Sequence, residues 1–415
     1  MNHFVRRRGE LYCEDVPLLR IAERVGTPVY VYSTATLLRH ASVFRSALRG
    51  LDVLPCYAVK AAGNLALLRL LLNEDFGFDI VSGGELHRVL RAGADPRRIV
   101  FSGVGKRDDE LRAALRARIL QFNCESEEEL EQLDAAARSM RRRAPIAVRV
   151  NPQVDARTHP YIATALATSK FGVPAERARA AFRRAGQLPG LEVVGLACHI
   201  GSQIGEVRPF VEAARKMRAL FEELRAAGQP LLRLDLGGGL GVPYGEGPDP
   251  ASPEQYGRAL FRALRGLDAR ILVEPGRLLV ANAGILLTRV LLTKRGSGGR
   301  RFAVADAGMN DLLRPALYGA YHAVETVARP RAKSEVIDLV GPVCESADVL
   351  AARRRLPPLR SGDLLVLRTA GAYAMSMASQ YNARPRPAEV LVSGSRFRVV
   401  RRRETQSDLV RGETV

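Results

Sequence analysis

The sequence predicts an α/β fold, a TIM-like (β/α)8 barrel followed by a C-terminal, mainly antiparallel β domain, on three observations. Short β-branched or aliphatic runs end near Lys60, Ser82, Ser102, Asn123, Asn151, His199, Leu236 and Glu274, eight in all. Helical patterns of Leu, Ala and Arg separate most of them, and eight βα units within about 230 residues is the arithmetic of a closed barrel. From about Ile285 the texture changes to short strand-like runs between Gly, Pro and charged turns, as antiparallel pairing requires. An open doubly wound sheet satisfies the same βα alternation. The polar residues at the run ends fall on the face that carries the active site in such barrels.

Taken in order, Thr27–Tyr32 reads as a strand ahead of the first βα unit. Leu51–Val59 reads as a short buried strand, and Leu65–Asn73 behind it has the leucine spacing of a helix. Past the eighth run, Ile285–Leu292, Arg301–Ala305, Glu335–Val340, Asp363–Arg368 and Ala388–Val400 are strand-like. The predicted division is a barrel over 36–284, with 1–35 and 285–415 forming the β domain. Arg401–Val415 is polar and expected to fray.

Composition narrows the function classes. No apolar stretch approaches the roughly 20 residues a membrane span needs. Met1-Asn2-His3-Phe4-Val5-Arg6 has no long apolar region behind it, so a cleaved signal is not expected and the cytosol is the predicted compartment. The cysteines (Cys13, Cys56, Cys124, Cys198, Cys344) are scattered and odd in number, against a disulfide framework or a zinc site. The net charge of +19 raises nucleic acid as a partner. Its arginines are spread over the whole chain, with short clusters such as Arg141–Arg143 and Arg401–Arg403 and no interleaved aromatics. Charge alone is a weak warrant, and no nucleic-acid partner is expected.

The chemistry centres on Cys56-Tyr57-Ala58-Val59-Lys60, where an apolar run stops on one of only six lysines against fifty-seven arginines. A lone strand-end lysine is more often a snorkelling surface cation. Later segments change that reading. Leu234-Asp235-Leu236-Gly237-Gly238-Gly239-Leu240-Gly241 closes the seventh run with glycines whose backbone N–H groups can converge on an anion. Glu274-Pro275-Gly276-Arg277 closes the eighth, and the loops after strands seven and eight are where such barrels hold a phosphate. His199-Ile200-Gly201-Ser202-Gln203 closes the sixth, offering an imidazole to lie on a conjugated ring and a hydroxyl to donate to a phosphate oxygen. A phosphate cradle, a stacking ring, a strand-end carboxylate and a lysine together suggest pyridoxal 5'-phosphate, with Lys60 as the Schiff-base amine and Glu274 on the pyridine nitrogen.

Tyr57-Ala58-Val59-Lys60, Gly77-Phe78-Asp79-Ile80-Val81-Ser82-Gly83-Gly84-Glu85-Leu86, His199–Gln203 and Glu274–Arg277 resemble the alanine-racemase-type, fold-type III pyridoxal-phosphate decarboxylases. Asp306–Tyr318, Gly341–Ser346 and Gly371–Ser379 make the diaminopimelate decarboxylases the most similar branch, over about Leu11 to Gly394. The resemblance implies decarboxylation of meso-2,6-diaminopimelate to L-lysine and CO2, the last step of lysine biosynthesis. It also implies a homodimer whose active sites are shared across the interface.

Carried over residue by residue, it implies that Lys60 binds the cofactor covalently and His199 stacks on it. Ser202, Gly237, Gly238, Gly239, Glu274, Gly276 and Arg277 hold its phosphate and pyridine nitrogen. Arg277, Arg314 and Tyr318 contact the distal end of the substrate, and Tyr373 touches both cofactor and substrate. Cys344 and Glu345 arrive from the partner subunit, the first as proton donor to Cα and the second on the distal ammonium. Two arginines and an acid suit a distal end that carries both carboxylate and ammonium. The chain departs from the family at Ala62, where an asparagine is usual, and at Ala163 and Ala165 beside Thr164, where a Thr-Gly pair is usual. A decarboxylase of a D- or L-basic amino acid (lysine or ornithine) remains an alternative, as does a catalytically dead regulatory paralogue.

Overall fold

The computed structural model describes residues 2–155, 169–245, 247–328 and 332–414. Ala163, Thr164 and Ala165 lie outside them. The chain divides into two compact units, one of His40–Val242 with Asp249–Leu278, the other of Met1–Arg39, Pro243–Pro248 and Leu279–Val415.

The first unit is a closed barrel. Its eight parallel strands are Val53–Ala58, Gly77–Ile80, Ile99–Phe101, Gln121–Cys124, Ala144–Asn151, Leu191–Ala197, Arg233–Asp235 and Arg270–Val273. Each pairs with the next, and the ring closes where Ile271, Leu272 and Val273 pair with Val53, Leu54 and Pro55. An open sheet is thereby ruled out. Strands covered on both faces favour apolar residues at successive positions, which is why most read as largely apolar runs. Leu54, Cys56, Val100 and Leu272 form a buried cluster among them.

The intervening helices each bury one apolar face, Leu67, Leu68 and Leu71 in Leu65–Asn73 and Ala178, Ala181, Phe182 and Ala185 in Ala178–Gln187 for example. Their starts are fixed by capping oxygens: Asn64, Ser82, Ser126 and Ser252 accept from the first-turn amides of Ala66, Glu85, Glu129 and Gln255. Each such cap is worth about 1 kcal/mol. The polar residue at the second strand end, Ser82, is therefore explained by the helix it starts.

The second unit is mainly antiparallel. Val29–Ser33 lies inside its large sheet, antiparallel to Gly284–Arg295 and parallel to Ala388–Ser393. Arg301–Ala305, Glu335–Val340 and Val349–Leu356 extend the sheet beyond Gly284–Arg295, and Leu364–Leu367 pairs with Gly284–Arg295 as well. A core of Leu11, Val16, Ile21, Val29, Val31, Ile285, Leu287, Val366 and Val390 packs between its strands and the N-terminal segment. The run Ala388–Val400, expected as one strand, is a hairpin of Ala388–Ser393 and Arg396–Arg401. Gly394, at φ 58°, makes the left-handed turn between them. The tail expected to fray forms a helical turn, Gln406–Leu409, capped by Thr405. Among the described residues no helix is long and apolar enough to cross a membrane.

Candidate active site

At the carboxyl end of the barrel strands, Lys60 follows the first strand on a single 3-10 turn, Val59–Ala61. Its Nζ lies 2.6 Å from Oδ2 of Asp79 on the second strand. The Lys60 side chain keeps 34% of its surface exposed while that of Asp79 is fully buried. Oδ1 of Asp79 has no hydrogen-bond partner among the described residues.

His199 sits two residues past the sixth strand, half-buried. The Gly238 N–H donates to its Nδ1 at 3.0 Å, which places the ring proton on Nε2. Desolvation first, then repulsion from Arg149 and Lys60, hold its pKa well below the usual value, so the imidazole is neutral. Arg149 itself is buried in a 2.7 Å pair with Glu125.

The glycine triplet is demanded by close approach. A Cβ on Gly238 would meet the Glu274 carbonyl oxygen at 2.0 Å, and one on Gly239 the Gly201 oxygen at 2.3 Å. Of the three amides expected to converge on an anion, two are engaged inside the protein: Gly237 donates to Asp235 Oδ1 at 2.9 Å and Gly238 to His199. The Gly239 amide remains, and the Gly239 carbonyl accepts from the Ile204 N–H at 2.9 Å, which ties it to the sixth-strand loop that carries the Ser202 hydroxyl. Arg277 is buried and donates from Nη2 to Ser202 Oγ at 3.0 Å, which leaves the hydroxyl proton to point elsewhere. Gly276 packs against the Ala58 side chain, and the Ala58 N–H donates to the Pro275 carbonyl, tying the lysine strand to the eighth loop.

Glu274 is buried and accepts a long 3.4 Å bond from Ser102. Burial first, then the charges of Asp235 and Asp79, push its pKa well above the carboxylate range. Asp235 is raised too, chiefly by burial. Asn123 bridges the group, donating to Ser102 Oγ at 3.1 Å and to Asp235 Oδ2 at 3.0 Å. Three buried acids with one ammonium beside them form a site that a cationic ring nitrogen would stabilise, and the unpartnered Asp79 oxygen marks the same need. The residues fit pyridoxal phosphate. Asp79, Asp235 and Asn123 were not among the expected site residues; Asp79 is the single polar residue of its strand, whereas Asn123 shares its strand with Gln121 and Asp235 its strand with Arg233, so only Asp79 carried a distinct signal.

The second unit holds its own cluster. Arg314 opens the short helix Arg314–Tyr318, whose second residue is Pro315, and its side chain is buried. Its Nη1 lies 2.9 Å from Nε2 of His322, and its guanidinium stacks 4.5 Å from the Tyr244 ring centroid. Tyr318 ends that helix, half-buried. Tyr373 sits in the left-handed region at φ 50°, a strained position for a bulky residue. Cys344 is the exposed cysteine; the other four are buried. Its N–H donates to Asn382 Oδ1 at 2.7 Å, and the neighbouring Glu345 accepts from the Tyr381 hydroxyl at 3.4 Å. Asp348 braces this loop by accepting from the amides of Val343 and Met309.

Comparison with known proteins bears on both units. The model of the pyridoxal-dependent decarboxylase, pyridoxal binding domain matches residues 34–281. The chain is 50% identical over 416 residues to the diaminopimelate decarboxylase of Pseudomonas aeruginosa, covering 100% of this chain and 99% of that protein. The diaminopimelate decarboxylase of Helicobacter pylori complexed with L-lysine superposes with a TM-score of 0.91 at 42% identity, covering 95% of this chain and 98% of that one. The enzyme of M. jannaschii in co-complex with L-lysine reaches 0.94 at 34% identity, covering 100% and 99%.

Proposed function

The chain belongs to the diaminopimelate decarboxylases, a branch of the pyridoxal-dependent decarboxylases, and on that premise we propose how its own residues carry out the reaction. It is a carboxy-lyase that converts meso-2,6-diaminopimelate to L-lysine and CO2, the last step of lysine biosynthesis, with pyridoxal 5'-phosphate as cofactor. The observation that carries this reading is the Lys60–Asp79 pair at the mouth of a barrel in a chain half identical, end to end, to such an enzyme. The same pair and the intact glycine loop disfavour a catalytically dead paralogue.

When bound, the cofactor supplies an aldehyde to take up an amino group and a conjugated ring to receive the electron pair freed as CO2 leaves. Lys60 Nζ would hold the aldehyde carbon, and Asp79 orients that nitrogen. The neutral His199 ring offers a flat platform with no charge to repel a cationic ring. Glu274, as a carboxylate, would keep a proton on the ring nitrogen. The Ser202 hydroxyl and the Gly239 amide would donate to the phosphate, with Arg277 steering Ser202 and adding positive charge.

Arg314 and Tyr318, with Arg277, would grip the distal end of the substrate, and Tyr373 would close over cofactor and substrate. Cys344 Sγ would deliver a proton to Cα and Glu345 would bind the distal ammonium, both from the partner subunit of a homodimer. Support for that sharing is the exposure of both side chains on one braced loop. The barrel domain is assigned to 36–284 and the β domain to 1–35 and 285–415. A cytoplasmic location is inferred from free, scattered thiols, as a reducing compartment keeps them.

The test is CO2 release from meso-diaminopimelate beside D-lysine, L-lysine and L-ornithine. Preference for meso-diaminopimelate is expected; equal or faster release from L-lysine or L-ornithine would transfer the chain to the basic-amino-acid decarboxylases.

A further inference from the structure

The Arg314 guanidinium is held by a histidine that none of the assigned roles uses. After the helix Arg314–Tyr318 the chain reverses through Gly319, in the left-handed region at φ 60°, and the Ala320 N–H returns to the Arg314 carbonyl at 3.3 Å. This turn brings His322 back against the side chain of Arg314, eight residues earlier. His322 is fully buried. Its Nδ1 lies 2.8 Å from the carbonyl oxygen of Arg368, and its Nε2 lies 2.9 Å from Nη1 of Arg314.

A carbonyl oxygen only accepts, so Nδ1 must carry the ring proton. An arginine only donates, so Nε2 must be the acceptor. Both contacts are satisfied by one tautomer of the neutral ring. Tyr244 completes the clamp, its ring 4.5 Å below the guanidinium and edge-to-face with His322 at 5.4 Å and 86°. A planar cation so held has lost most of its rotamer freedom before any ligand arrives.

We propose that His322 is a positioning residue for substrate specificity, fixing Arg314 through Nε2 in the orientation that receives the distal carboxylate. This rests on the assignment of Arg314 to that carboxylate. The Arg368 carbonyl sets the tautomer, and Tyr244 fixes the plane. His322 touches no reacting atom, so its contribution falls on binding and not on the rate of bond breaking.

Two substitutions separate the two ring nitrogens. Asn places an N–H near Nδ1 and keeps the bond to Arg368, but withdraws the acceptor from Arg314. Gln reaches the Nε2 position and can present its carbonyl oxygen to Arg314. With the holoenzyme, His322→Asn should raise KM for meso-diaminopimelate about ten- to a hundred-fold, the scale of one charge-assisted hydrogen bond, with kcat within about twofold. L-lysine, which retains the distal carboxylate, should bind more weakly by the same factor in calorimetry. Turnover of D-lysine, which lacks that carboxylate, should not change, and His322→Gln should stay within about threefold of the parent in every measurement. Equal behaviour of the Asn and Gln variants, whether both intact or both impaired, or a loss confined to kcat, overturns the proposal. Arg314→Ala is the companion. If it leaves KM for meso-diaminopimelate unchanged, the carboxylate assignment falls and this proposal with it. If it raises KM while His322→Asn does not, the positioning role alone is wrong.

Discussion

Asp79 binds the Lys60 ammonium on one carboxylate oxygen at 2.6 Å and keeps the other buried with no hydrogen-bond partner among the described residues. The pair makes Lys60 an oriented amine at the barrel mouth. Lys60→Ala should abolish decarboxylation and remove the visible absorbance of bound cofactor. Borohydride reduction followed by peptide mapping should find the cofactor on Lys60. An adduct on Lys106 would refute this; that ammonium is buried against Glu129 and two backbone carbonyls.

Glu274→Gln should leave the cofactor bound and slow turnover by roughly a hundredfold or more, about 3 kcal/mol in the barrier. An amide cannot keep the ring nitrogen protonated. Unchanged kcat in this variant would move the carboxylate role to Asp235 or Asp79.

Asp311 gives a pH prediction for stability. Burial pushes its pKa up to about 7, while the hydrogen bond it accepts from the Gly308 N–H and the charges of Arg384 and Arg403 act only partly against this. The folded state therefore binds more protons than the unfolded one between about pH 4 and pH 7, so stability falls as pH rises through that window. Denaturant titrations at pH 4 and pH 8 should show the parent losing on the order of 2–4 kcal/mol more than Asp311→Asn. Parallel curves for the two proteins would place the Asp311 pKa in the ordinary range.

Burial raises the pKa of Cys13, Cys56, Cys124 and Cys198, which keeps them as unreactive thiols. Cys344 is exposed. Iodoacetamide at mild pH should therefore modify one site per chain, Cys344, with activity lost in step. Modification elsewhere without loss of activity would remove Cys344 from the chemistry.

The shared site has a direct test. Lys60→Ala and Cys344→Ala homodimers should each be inactive. Mixing them, with tags proving subunit exchange, should restore up to about a quarter of parental activity, because half the dimers are mixed and one of their two sites is whole. Mixed dimers that form and stay inactive would rule out donation of Cys344 by a partner.

The barrel was legible because a parallel strand covered on both faces writes itself as a largely apolar run, and all eight run ends fall within two residues of a strand end. The strand Val349–Leu356 escaped because Arg353, Arg354 and Arg355 fill its second half and its buried residues, Leu350, Ala351 and Leu356, do not alternate. The glycine triplet was legible as a place without side chains, but two of its amides serve Asp235 and His199, a division set by tertiary contacts. Asp79, Asp235 and Asn123 sit on three separate strands, and only closure of the barrel brings them together. His322 and Tyr244 are far apart in sequence, so their common partner Arg314 could not be read from spacing.

The strand Val29–Ser33 also has a consequence for synthesis on the ribosome. It is made early, yet its neighbours Gly284–Arg295 and Ala388–Ser393 emerge some 250 and 360 residues later, roughly ten to seventy seconds at 5–20 residues per second. All five of its residues are buried in the finished protein. The barrel lies between in the chain and can complete its own pairing during that interval. The nascent strand thus waits with both edges open, and this is where chaperone protection during translation would matter most.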